Sequence, residues 1–133
     1  MEKKLALAPE VVQDFVISGH GNMERVLELL EQEPNLINAA WDWGGGDWET
    51  ALGGAAHMGR KDIARCLLER GARLDIFAAA MLGQAEIVQA ILKAFPGARH
   101  WRGPHGIPLI AHAQAGGEEA APVVDLLQAL PIT

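Results

Sequence analysis

A ten-residue stretch shows the sequence pattern that recurs along this chain: Gly59-Arg60-Lys61-Asp62-Ile63-Ala64-Arg65-Cys66-Leu67-Leu68. It opens on a glycine, continues with apolar residues at spacings of one, three and four, and closes on two adjacent aliphatic residues. Those spacings place the apolar side chains on one face of a helix. Similar stretches begin at Gly21, Gly83 and Gly117. The sequence therefore predicts four amphipathic helices, each of which needs a partner to bury its apolar face.

A shorter helix rich in small residues is predicted before each of these glycines. The clearest example is the segment Thr50-Ala51-Leu52-Gly53-Gly54-Ala55-Ala56-His57-Met58. Its threonine is a candidate N-cap, because the hydroxyl can accept a hydrogen bond from a backbone N–H of the first turn. The paired alanines allow another helix to approach closely. Related segments lie at residues 78–82 and 111–115, and a bulkier one at 15–20.

Together these segments predict an all-α fold of about four helix–turn–helix units that stack into a solenoid. The connection before the third unit is short, whereas the segments 36–49 and 95–106 are long enough to form hairpin-like loops. The 133 residues fit one domain. The expected units are residues 10–38, 48–75, 76–98 and 106–130 of the single domain 1–133.

The sequence resembles small bacterial-type single-domain ankyrin-repeat proteins. The segment 50–53 stands where that family has Thr-Pro-Leu-His, and 55–59 matches Ala-Ala-x-x-Gly. The segment 67–75 matches Leu-Leu-x-x-Gly-Ala-x-x-Asn/Asp, although the motif histidine is replaced by Gly53 and Ile110. The resemblance implies an α-solenoid of helix pairs with a concave binding groove. It also implies a binding module without catalysis, since most members of the family are of that kind.

The resemblance further implies which residues face that groove, namely the pair before each repeat glycine. This strip would bind a protein partner or a small ligand that carries an apolar or aromatic group. Methionine suits such a surface because it adapts to varied partner shapes. The groove residues expected to bind are His20, His57, Met58, Met81, Leu82 and Gln114.

The loop of residues 41–50 places three of the four tryptophans beside three consecutive glycines. Tryptophan in a loop rests on other residues, because most of its surface is usually buried. Two interpretations stay open: the rings cap the core, or they form the walls of an aromatic pocket. The residues concerned are Trp41, Trp43 and Trp48, with Asp42, Asp47 and Glu49 as polar groups.

An enzyme is the alternative to a binding module. His57 is a candidate general base near neutral pH, with Asp42 or Asp47 orienting its ring. Ser18 is the only serine, and Cys66 lies within a predicted helix, so no nucleophile is evident. The chemistry would then be proton transfer, as in an isomerase or lyase. No cofactor is predicted for either function.

The loop 95–106 carries the one local basic cluster, formed by Arg99, His100, Arg102 and His105. A solvated loop tip is favoured over an anion site, because charged loop residues usually face water. No third ligand stands at a telling spacing from the two histidines, so no metal site is predicted. We expect His112 to be packed and hydrogen-bonded between helices.

Composition limits the class of partner and compartment. The chain has 11 lysines and arginines against 17 aspartates and glutamates, a net charge of −6. That balance argues against nucleic-acid binding, which usually needs a basic surface. No apolar run approaches the length of about 20 residues that a membrane-spanning helix needs. A single cysteine fits a reducing compartment. We therefore expect a cytoplasmic protein without membrane contact, either monomeric or weakly self-associating.

Overall fold

The computed structural model describes residues 4–132, and this part of the chain is mostly helical, as predicted. Over the same residues, every helix is too short or too polar to cross a lipid bilayer. The elements are α1 (Pro9–Gly19), α2 (Met23–Gln32), β1 (Ala40–Asp42), β2 (Trp48–Thr50), α3 (Ala51–His57), α4 (Lys61–Glu69), α5 (Ile76–Met81), α6 (Ala85–Ala94), α7 (Leu109–Ala115) and α8 (Ala121–Gln128). Short 3-10 turns lie at Pro34–Asn38, Pro96–His100, Pro104–Gly106 and Gly117–Ala120.

Side chains cap three of the helices at their N-termini. The Thr50 hydroxyl accepts a hydrogen bond from the Gly53 N–H at 3.0 Å, which confirms the predicted cap of α3. The carboxylate of Asp75 accepts from the Ala78 N–H at 2.8 Å at the start of α5. The side chain of Asn22 does the same for α2. Each cap satisfies a backbone donor that has no partner within the helix.

The helices contact one another in a regular order. Consecutive helices pair, α1 with α2, α3 with α4, α5 with α6 and α7 with α8. The first members of these pairs also contact in sequence, α1 on α3, α3 on α5 and α5 on α7. Helix α5 contributes to two apolar clusters, one extending back to α1 and the other forward to α8. Helix α3 also contacts α7 directly, and the core extends through all eight helices of residues 4–132.

The contact between α1 and α3 depends on a residue without a side chain. A Cβ on Gly19 would lie 2.5 Å from the carbonyl oxygen of Ala51 and 2.7 Å from its Cα. Both atoms belong to the backbone of the facing helix, which has little freedom to move. Glycine at this position therefore sets how closely α1 approaches α3, and with it the position of the C-terminal end of α1.

The prediction that Met81 and Leu82, at the end of α5, face a binding groove is wrong. Met81 is fully buried and Leu82 is only 8% exposed, and both belong to the apolar cluster that α3 and α4 share. The chain before α5 carries no hairpin, but the neighbouring helices α3 and α7 cover this face of α5. Neither side chain offers surface to a partner.

His112, on α7, is completely buried and hydrogen-bonded, as predicted. Its Nδ1 lies 3.0 Å from the carbonyl oxygen of Pro108 and its ring packs against Phe77. Burial lowers the pKa of His112 below its ordinary value, because the charged form loses its hydration. The hydrogen bond to the Pro108 carbonyl oxygen acts in the opposite direction but does not outweigh burial.

The lowered pKa of His112 predicts a loss of stability in mild acid. Neutral His112 contributes fully above its unfolded pKa of about 6.5, and this contribution falls as pH drops below that value. The free energy of unfolding, measured by urea titration from pH 7.5 to 5, should therefore fall more steeply in the wild type than in His112→Leu. The difference in slope should not exceed about 1.4 kcal/mol per pH unit. Equal slopes would contradict the prediction.

Candidate functional site

The first long loop forms a hairpin that turns one carboxylate inward. Strands β1 and β2 pair antiparallel, with Trp41 opposite Glu49. Successive side chains of a strand point to opposite faces. Trp48 accordingly faces outward and is 61% exposed, whereas Glu49 faces inward and is 1% exposed. A fully buried carboxylate needs hydrogen-bond donors or opposite charges around it.

The three glycines of this loop form the turn of the hairpin. Gly44, Gly45 and Gly46 all have positive φ, which other residues adopt only with strain. The carboxylate of Asp42 closes the turn by accepting hydrogen bonds from the N–H groups of Gly44, at 2.8 Å, and Gly46, at 3.0 Å. Asp42 is thus committed to the turn itself.

Glu49 is the centre of a polar cluster. Its Oε1 accepts a hydrogen bond from Trp43 Nε1 at 2.9 Å and lies 3.0 Å from His20 Nε2. Its Oε2 lies 3.0 Å from His57 Nε2. His105 Nε2 lies 3.6 Å from Oε1. Three imidazole rings therefore direct the same type of nitrogen towards one buried carboxylate.

Hydrogen bonds on the side away from Glu49 fix the orientation of two of these rings, those of His20 and His105. His20 Nδ1 donates to the Val16 carbonyl oxygen, 2.9 Å away. Its ring packs closely on α3, where a Cβ on Gly54 would lie 2.7 Å from ring atoms of His20. His105 has a φ of +62° and is tied to Asp47 twice, its N–H at 2.8 Å and its Nδ1 at 2.7 Å from the carboxylate oxygens.

The electrostatics of the cluster follow from these contacts. Burial alone would raise the pKa of Glu49, but hydrogen bonds from His20, His57 and Trp43 outweigh it and lower the pKa to about 2. The same contact with Glu49 raises the pKa of His20 against the effect of its own burial. The N–H of His105 lowers the pKa of Asp47. The cluster therefore holds Glu49 ionised.

A cavity of about 330 Å³ opens above the cluster. Its walls are flat or apolar side chains, namely Ile17, His20, Trp43, His57 and His105. The ring centroids of His20 and His57 are 4.9 Å apart and those of His57 and His105 are 5.6 Å apart, in both cases nearly edge to face. The side chain of Trp43 is 37% exposed and closes one side.

The structure brings together three of the predicted site residues, His20, His57 and Trp43, and separates the others. Trp48 lines a different cleft, beside Phe77 and Pro104. Trp41 is half-buried in the hairpin, while Met58 and Gln114 are exposed and line neither cavity.

The expected partner of His57 also differs from the prediction. The carboxylate beside its ring belongs to Glu49, because Asp42 is engaged in the turn and Asp47 holds His105. From sequence, Glu49 is predicted only as a polar group of the loop, and His105 is predicted to lie at a solvated loop tip. The alternation of side chains along a strand, with Trp48 on the outer face, is the one sequence feature that predicts an inward-facing Glu49. No nearby sequence feature predicts the contact between His105 and Glu49, because 56 residues separate the two along the chain.

The chain matches no model of a known protein family, and no curated protein is significantly similar to it.

Proposed function

We propose that the protein is a binding module for a small molecule that carries a flat aromatic or apolar group. The observation that carries this proposal is the cavity between Trp43 and the three imidazole rings. Its volume of about 330 Å³ is at the lower end of the range typical of small-molecule sites, about 300–1,000 Å³. A protein partner is less well supported, because two members of the expected groove, Met81 and Leu82, are buried.

We also propose that the helices stack as ankyrin-type repeats around this site. The order of contacts supports this arrangement, since each helix pair packs on the next through α1, α3, α5 and α7. The hairpin of β1 and β2 lies between the first and second pairs, where the resemblance implies a hairpin finger. His20 directly follows α1 and His57 is the last residue of α3, so both histidines lie at the C-terminal ends of the first helices of their pairs.

The pocket is preorganised for a flat group. The indole N–H of Trp43 is already engaged with Glu49, so the ring is held in place before any ligand arrives. Aromatic pairs favour edge-to-face or offset geometry and add about 0.5–1.5 kcal/mol beyond the area that they bury. The neighbouring imidazole edges and the exposed side chain of Ile17 complete an apolar lining.

Trp43→Ala should weaken the binding of small aromatic probes by roughly tenfold, since the loss of ring contacts amounts to about 1.4 kcal/mol. Saturation-transfer NMR with indole and phenol as probes measures this. Trp43→Phe keeps a ring and should retain most of the binding. Trp101→Ala is the matched control, because Trp101 is also exposed but packs against Phe95. Equal binding by wild type and Trp43→Ala would refute the proposal.

Proton transfer is a second candidate, favoured by the 3.0 Å contact between His57 and the buried Glu49 at the cavity wall. Glu49 would then orient the base in place of the predicted aspartates. A carbon acid bound in the pocket would exchange hydrogen for deuterium in D₂O. The exchange should disappear in His57→Asn, and exchange that persists in this variant would exclude His57 as the base.

A further inference from the structure

We propose that His20, Glu49, His57 and His105 together bind one divalent transition-metal ion of the zinc class. Each residue offers one ligand atom, and these four atoms all lie within 4.8 Å of one another. They come from four parts of the fold: the end of α1, the end of α3, the hairpin and the loop before α7. The site would be a three-histidine, one-carboxylate centre at the floor of the cavity.

The donor set selects the class of metal. Imidazole nitrogen suits zinc, copper, iron and nickel, whereas magnesium and calcium prefer sites made of oxygen ligands alone. Zinc binds imidazole and carboxylate at about 2.0–2.2 Å, so tetrahedral ligand atoms stand about 3.3 Å apart. Around Glu49 the nitrogen–oxygen distances are 3.0, 3.0 and 3.6 Å. The four ligand atoms all lie within 4.8 Å of one another, so the widest pair would have to close by up to about 1.5 Å to share one tetrahedral ion.

The hydrogen-bond partners of the outer ring nitrogens also support a metal site. Metal-binding histidines usually donate their other N–H to a carbonyl or carboxylate, which fixes the ring and its tautomer. His20 does this through Nδ1 to Val16, and His105 through Nδ1 to Asp47. In both rings the hydrogen bond leaves Nε2 as the atom that faces Glu49. Asp47 thereby acts as a positioning residue for His105.

With neutral imidazole rings the cluster has more acceptors than donors. Once Nδ1 carries the proton, Nε2 of a neutral ring presents a lone pair, and in His20 and His105 this lone pair faces a carboxylate oxygen. Trp43 supplies a single N–H to Glu49. Either extra protons or a cation must fill the space between these atoms. A divalent ion satisfies all four groups at once, and the cavity above gives it a path from solvent.

The test is isothermal titration of the tag-free, chelator-treated protein with ZnCl₂ near neutral pH in a buffer that does not bind metals. The wild type should bind one equivalent. His105→Ala should bind at least tenfold more weakly, and Asp47→Asn about 10- to 100-fold more weakly, the usual effect of losing an outer-shell partner. His105 is on the surface, so its replacement leaves the apolar core intact. His100→Ala is the matched control, since His100 is an exposed histidine outside the cluster.

Two results would overturn the proposal: no one-equivalent binding by the wild type, or the same affinity in the wild type and His105→Ala. Protons would then be the occupants of the cluster. This outcome is separate from the proposed ligand function, because aromatic probes are tested on the metal-free protein and depend on Trp43, whereas zinc is titrated alone. One-equivalent binding by the wild type, weaker binding in His105→Ala and unchanged binding in His100→Ala together support the site.

Discussion

Replacing Glu49 with alanine should lower the free energy of unfolding by about 3–5 kcal/mol, the usual effect of removing one partner of a buried charge pair. The substitution leaves the N–H of Trp43 without an acceptor. It also removes the carboxylate that His20 and His57 contact at 3.0 Å. The side chain of Glu49 is completely buried, so its removal leaves these groups without the acceptor that they share inside the protein.

Urea denaturation of the metal-free protein near neutral pH measures this change. Glu31→Ala is the matched control, because Glu31 is exposed on α2 and its replacement should alter stability by no more than about 0.5 kcal/mol. A loss below about 1 kcal/mol in Glu49→Ala would mean that the carboxylate is not the buried centre of the cluster.

Gly19→Ala should lower the free energy of unfolding by about 1–3 kcal/mol, because the added methyl group overpacks the contact between α1 and α3. The Cβ would lie 2.5 Å from the carbonyl oxygen of Ala51, and a backbone atom cannot rotate away. The substitution should also move His20, which follows directly on α1, away from Glu49.

Gly97→Ala is the control for this substitution. Its Cβ would meet no atom within 4 Å, and its φ lies outside the region that favours glycine. Its stability should therefore stay within about 0.5 kcal/mol of the wild type. Thermal unfolding of both variants gives the comparison. If Gly19→Ala were as stable as Gly97→Ala, the close approach of α1 to α3 would be in doubt.

The helices could be predicted from sequence because their apolar periodicity and caps are local. The repeated glycine and paired aliphatic residues predicted α2, α4, α6 and α8, and Thr50 predicted the start of α3. The burial of Met81 could not be predicted in this way. It depends on α3 and α7 closing over α5, which is a tertiary contact without a local signal.

The site was predicted only in part for a similar reason. The Trp-rich loop predicts a role for Trp43, and the ankyrin resemblance implies that His20 and His57 face a groove. Glu49 is predicted only as one of three polar groups of the loop, beside Asp42 and Asp47. Its partners His20 and His105 lie 29 residues before it and 56 residues after it. Sequence spacing does not reveal that the fold brings these residues together.

Imidazole ¹⁵N NMR of the protein with one equivalent of Zn²⁺ tests whether three histidines share one site. The chain has five histidines, so each ring can be assigned separately. The Nε2 signals of His20, His57 and His105 should shift on zinc addition, while those of His100 and His112 should stay in place. A zinc complex that shifts His100, or that leaves these three rings unchanged, would contradict the convergence of the histidines on Glu49.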